Sequence, residues 1–142
     1  MRVMVALAGA ALVLGGCSLL PAPTADVGDC VDLDVNSTSV EELEGFECSK
    51  EHDAEVYYKG DVEFDGGYDA AVIEQEAVDA CLTGFEEFVG IEYFSSSLDV
   101  YYMYPEEEGW GAGDREVMCA VYTPDAAGEV TRTTGSLEGS EL

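Results

Sequence analysis

The chain has 142 residues, 31 acids against five basic residues, one histidine and a formal net charge of −26. That length supports one domain around one core. Such a surface is repelled by nucleic acid and by anionic lipid headgroups, so neither is expected as a partner of the domain.

Residues 1–16 have the order of a lipoprotein signal peptide. Met1-Arg2 is a short basic start. Val3 to Leu14 is an apolar run of about a dozen residues, the length of a signal core and short for a membrane span. Leu14-Gly15-Gly16-Cys17 matches a lipobox, in which the cysteine receives a diacylglycerol and becomes the first mature residue. Palmitate-class acyl chains on Cys17 are then the expected anchor, and two buried chains suffice to hold a protein at a membrane. The expected location is the outer face of the cytoplasmic membrane. An ordinary secretory signal, cut elsewhere, is the alternative. Residues 17–26 carry two prolines and read as a tether, spanning roughly 25–30 Å if extended.

With Cys17 set aside, Cys30, Cys48, Cys81 and Cys119 remain. An even number in an exported domain implies two disulfides with three possible pairings. No spacing is Cys-x-x-Cys, which disfavours redox or zinc chemistry.

Val27 to Val35 alternates in part and reads as a first strand. Asn36 to Ser39 is a polar turn, and Ser39 with Glu42 suits a capping box for a helical turn over Val40 to Leu43. Ala54 to Tyr58 reads as a strand, stopped by Gly60. An acidic glycine loop follows from Asp61 to Asp69. Its oxygen-bearing residues at Asp61, Glu63, Asp65 and Asp69 resemble half of a calcium loop. The position that should supply a closing glutamate is Val72, so a solvated turn is the default.

The spacing predicts a helix over 70–89. Ile73, Ala77, Cys81 and Phe85 recur at i+4, and Val78, Leu82, Phe88 and Val89 widen the stripe. Asp69 is the expected N-cap and Gly90 the expected C-terminal stop. Gly84 weakens this helix by about 1 kcal/mol relative to alanine. Leu98 to Tyr104 reads as a strand, Pro105 to Asp114 as a loop around Trp110, and Arg115 to Thr123 as a further strand. Val117, Cys119 and Val121 share one face of it. The last twenty residues are mostly small and polar.

Strands before and after one amphipathic helix predict an α+β fold: a small antiparallel sheet with the helix across one face. Cys81 lies on the helix stripe and Cys119 on the apolar face of a late strand, so Cys81–Cys119 is expected to staple helix to sheet. Cys30–Cys48 follows.

His52 stands between Glu51 and Asp53. It reads as a structural histidine beside the Cys48 disulfide; the alternative is a general base or pH-sensing group. There is no Gly-x-Ser-x-Gly, no His-Glu-x-x-His and no phosphate-binding glycine loop. An enzyme is therefore not expected, and no catalytic residue, cofactor or metal is assigned. Trp110 with Tyr101, Tyr102, Tyr104 and Tyr122 either packs the sheet or lines a groove for sugars or peptides. Asp114 and Arg115 form an ion pair or brace the turn before the last strand.

Five pieces in one order resemble the septum formation domain of lipoproteins and membrane-attached proteins in high-GC Gram-positive bacteria. They are Val27-Gly28-Asp29-Cys30, Cys48-Ser49-Lys50-Glu51-His52-Asp53-Ala54-Glu55-Val56, Cys81, Trp110 with Gly113-Asp114-Arg115-Glu116-Val117-Met118-Cys119, and Gly135-Ser136-Leu137. The family has proline where Glu51 stands, which changes the approach to His52. The resemblance covers residues 27–139, leaving 140–142 as a tail. It implies a link to division septa but supplies no mechanism. The expected role is a non-enzymatic binding or scaffold protein of the cell envelope, with an envelope protein or wall component as partner. The other readings are a small-ligand or cation-binding lipoprotein, and an envelope enzyme using His52.

Overall fold

The computed structural model describes residues 25–33 and 43–142. The signal peptide, Cys17, the tether up to residue 24, the turn at Asn36 and the capping box at Ser39 lie outside the described residues. The elements are β1 (Cys30–Val31), β2 (Ala54–Asp61), α1 (Ala70–Val89), a 3-10 turn (Tyr93–Ser95), β3 (Asp99–Met103), α2 (Glu107–Ala112), β4 (Glu116–Pro124) and β5 (Val130–Thr131). The strands form one antiparallel sheet in the order β1-β2-β4-β3, and β5 pairs with the end of β4. With α1 across one face, this is the α+β arrangement expected from the sequence.

The helix is formed by its stripe. Ile73, Ala77, Cys81, Phe85 and Val89 are buried, and Asp69 caps the start by accepting from the backbone N–H groups of Ala71 and Val72. Gly90 closes the end at φ +96°, a left-handed conformation that glycine adopts without strain. The stripe packs on Val117, Cys119 and Val121 of β4, and the Cys81–Cys119 bond joins the two layers with 5.6 Å between Cα atoms.

Gly84 has a packing reason for its place in mid-helix. The β2–β4 register slips between Val56 and Tyr58. This bulge turns both Tyr57 and Tyr58 toward α1. A Cβ on Gly84 would lie 3.2 Å from the Cβ of Tyr58 and 3.4 Å from the Tyr57 ring. The Tyr57 hydroxyl donates to the Cys81 carbonyl at 2.8 Å. Burial pushes the Tyr57 phenol far above its ordinary value.

The opposite face of the sheet is also covered. Val31, Ala54, Val56, Met118 and Ala120 pack there with Ala25 and Leu43. Both faces of β4 are therefore buried, as its unbroken apolar run requires.

Three elements depart from the sequence reading. Among the described residues, the strand expected over Val27 to Val35 is limited to Cys30–Val31. Gly28 sits at φ +93°, and Asp29 accepts from the Asp26 N–H, so a turn occupies the strand's expected start. Beyond Val31, the Leu33 N–H donates to the Asp53 carboxylate instead of continuing a ladder. The expected loop around Trp110 contains the six-residue helix α2. Two glycines hid it, but Glu107 and Glu108 sit favourably in its first turn. The polar C-terminal stretch is ordered by backbone bonds. A turn organised by Asp125 leads into β5, and Gly139 and Glu141 donate to Phe88 and Val89 at the end of α1.

Candidate functional site

The residues singled out by motif fall into two groups at opposite ends of β2 and β4. Glu55 near the start of β2 faces Val121, and Asp61 at its end faces Glu116. Six residue steps along β2 separate these pairs, roughly 20 Å. His52 and Asp53 precede the first end. Asp114 and Arg115 adjoin the second. No single site unites them.

At the first end, Cys30 is bonded to Cys48. His52 is 0% exposed and pairs with Thr133 through backbone bonds of 2.9 Å in both directions. Its Nδ1 lies 2.8 Å from the Lys50 carbonyl, which assigns the ring proton to Nδ1, and Nε2 has no hydrogen-bond partner. This is the structural placement expected beside the Cys48 disulfide. Asp53 accepts from the Leu33 N–H at 2.9 Å and from Arg132 at 3.0 Å. Arg132 also reaches Asp32 at 3.0 Å and the Glu51 carbonyl at 2.9 Å. One guanidinium thus holds three acidic residues from two parts of the chain, Asp32 from one and Glu51 and Asp53 from the other.

Glu55 is the residue the site analysis missed. It is 2% exposed, and its carboxylate accepts from the Ser136 hydroxyl at 2.7 Å and the Leu137 N–H at 2.6 Å. The signal was present, since Glu55 and Ser136-Leu137 belong to two quoted motif pieces; what was invisible is that one binds the other. Gly135 N–H adds a 2.7 Å bond to the Cys48 carbonyl. Glu55 also lies within 4.8 Å of both Cys30 and Cys48 sulfurs. Those sulfurs are bonded to each other and are not thiolate ligands.

At the second end, the Arg115 guanidinium stacks on Trp110 at 3.5 Å. It donates to the carbonyls of Trp110 at 2.9 Å and Asp114 at 2.6 Å. The Asp114 carboxylate accepts instead from the Glu116 N–H at 2.9 Å. The pair is therefore a turn brace leading into β4, not a mutual ion pair. Trp110 is 6% exposed and packs with Phe64 and Tyr68. In the acidic loop, the Asp69 carboxylate is engaged as the helix cap and Asp61 is paired in the sheet.

The aromatic groove has a different outline from the one the sequence suggested. Trp110 belongs to the core, and Tyr122 packs toward the other face. A cleft of about 500 Å³ is lined by Tyr68, Tyr101, Tyr102, Met103, Tyr104, Glu106 and Glu107. Tyr102 and Tyr104 stack with ring centroids 6.1 Å apart. A second, more apolar cleft of about 280 Å³ lies between α1 and β3, bordered by Val78, Leu82, Tyr93, Phe94 and Tyr102. Phe94 is 88% exposed. The Tyr102 hydroxyl donates to Glu74 at 3.4 Å. Desolvation, then the Glu74 charge, raises the phenols of both Tyr102 and Tyr104 above their ordinary value. Both phenols therefore stay protonated donors across the neutral range.

No helix among the described residues is long and apolar enough to cross a membrane. A family model described as septum formation matches residues 27–141. No curated protein and no solved structure matches the chain.

Proposed function

Because this chain belongs to the septum formation family, we propose that it is a lipid-anchored, non-enzymatic binding protein of the division septum. Diacylglycerol on Cys17 holds it at the outer face of the cytoplasmic membrane, and the domain engages an envelope protein or wall component. Family membership supports a role in division and the envelope. The observation that carries the binding role is how the polar motif residues are used. His52 and Glu55 are buried, and the Asp53 and Arg115 side chains are engaged in bonds that hold the fold together. The exposed aromatics, Tyr102 on β3 and Phe94 before it, lie elsewhere.

An epitope-tagged full chain with its signal and lipobox intact, imaged in dividing cells, tests the location. Enrichment at the septum is expected, and an even envelope distribution overturns the division link. His52→Asn tests the chemistry. The asparagine amide can keep the bond to the Lys50 carbonyl but is not a base. A folded His52→Asn protein that still complements a deletion is expected; a folded but inactive one would favour the enzymatic alternative.

A further inference from the structure

We propose that the outer edge of β3 is a strand-addition site for an extended, basic segment of a partner protein. The inference rests on the reading above that the domain binds a protein.

β3 ends the described sheet: its neighbour is β4 on one side, and no described strand pairs with the other. An unpaired edge presents backbone N–H and C=O groups that an extended peptide can pair with; here the Val100 N–H is already taken by the Asp99 carboxylate at 2.8 Å, so the open run lies beyond it. Exposed edges are commonly guarded by lysine, proline or a bulge. The run Val100-Tyr101-Tyr102-Met103 has none of these; the β3–β4 register proceeds without a slip. The two clefts described above adjoin this strand and share Tyr102. Alternate side chains of an added strand point to opposite faces. One set would therefore meet the apolar groove that α1 and Phe94 form with β3.

Charge selects the occupant. Glu106 and Glu107 line one cleft, Asp99 borders the other, and Glu74 reaches Tyr102. The four basic residues among the described residues lie elsewhere. Lys59 bonds Asp26 and Glu116, Arg132 bonds Asp32, Glu51 and Asp53, Arg115 stacks on Trp110, and Lys50 lies over Phe46. A second copy of this chain would bring another net charge of −26 to the same edge. A basic segment is attracted instead, with an association rate that falls as salt rises.

The test uses the full chain in non-ionic detergent and a synthetic peptide of alternating lysine and valine. Binding is expected, with backbone hydrogen exchange slowed by about tenfold or more at the β3 amides that neither β4 nor the Asp99 carboxylate already holds. The same peptide N-methylated at adjacent central residues keeps its charge and side chains but cannot pair along the strand; it is expected to bind at least about tenfold more weakly. A glutamate–valine peptide is expected not to bind. Tyr102→Lys, with its melting temperature checked, is expected to weaken the lysine peptide while leaving the fold intact. Equal binding of the N-methylated or acidic peptide overturns the proposal. So does absent binding, or sedimentation showing a dimer that Tyr102→Lys dissociates. Septal imaging is independent of these outcomes. A chain that reaches the septum yet ignores the peptide loses this surface alone, and one that binds the peptide but spreads evenly loses the septal link alone.

Discussion

The two disulfide-bearing regions of this domain are built on different physics. Around Cys30–Cys48 the chain is sewn by polar bonds: the Arg132 guanidinium on three acids, Glu55 on Ser136 and Leu137, and His52 on Thr133. Around Cys81–Cys119 the contacts are an apolar helix stripe on a sheet, and beyond them the outer edge of β3 has no partner among the described residues. The first region holds much of the recognisable motif and is closed. The second includes an open edge and apolar clefts, yet β3 itself carries no motif. A recurring residue pattern can thus mark what keeps a fold shut, while the contact surface lies where the pattern is loose.

The largest effects should come from the disulfides, and their order tests the comparison. In the chain-entropy model, Cys81→Ser with Cys119→Ser opens a bond of sequence separation 38 and costs about 4 kcal/mol. Cys30→Ser with Cys48→Ser opens one of separation 18 and costs about 3 kcal/mol. Urea unfolding reads both. A larger loss at Cys30–Cys48 would mean that the polar knot depends on its covalent bond more than the apolar layer does.

Next comes Glu55→Ala, which strands the Leu137 N–H and the Ser136 hydroxyl. A loss of roughly 2–3 kcal/mol is expected. Glu55→Gln keeps an acceptor and should lose less. Faster exchange of the Leu137 amide would locate the damage. An unchanged stability would show that the C-terminal segment is held by its backbone pairing alone.

A smaller, salt-dependent loss is expected for Arg132→Ala, because the clamp is solvent-facing and screened. Lysine should not restore it, since bonding Asp32, Glu51 and Asp53 at once needs the guanidinium fork. Persistence of the loss at high salt would assign Arg132 a packing role instead.

The apolar region has its own pH signature. The Tyr93 hydroxyl donates to Asp99 at 2.7 Å. That hydrogen bond, with burial and the Asp99 charge, pushes the phenol from 10.0 up to about 12. The folded state then favours the protonated phenol. Its stabilisation is complete below pH 10 and is lost as pH rises from there through about 12. Tyr93→Phe should flatten that limb of the stability profile and leave neutral pH little changed. The smallest stability effect is expected at Tyr102→Ala, within about 0.5 kcal/mol by thermal melting, because the residue is 36% exposed on an edge.

The sequence alone determined the α+β class, α1 with both caps and the cores of β2, β3 and β4; of three possible disulfide pairings it favoured the one observed without fixing it. These rest on periodicity and chain-local chemistry, which need no knowledge of distant neighbours. Its motif pieces also anticipated the family. Tertiary structure decided the rest: that Gly84 clears space for a bulge at Tyr57, that Trp110 is core while Tyr102 is exposed, and that Glu55 secures Ser136 and Leu137. It also decided that β3, which shares its Val-Tyr-Tyr core with β2, lies at the edge of the described sheet. Strand order and side-chain pairing depend on which segments meet across dozens of residues, and neither propensity nor spacing encodes that meeting.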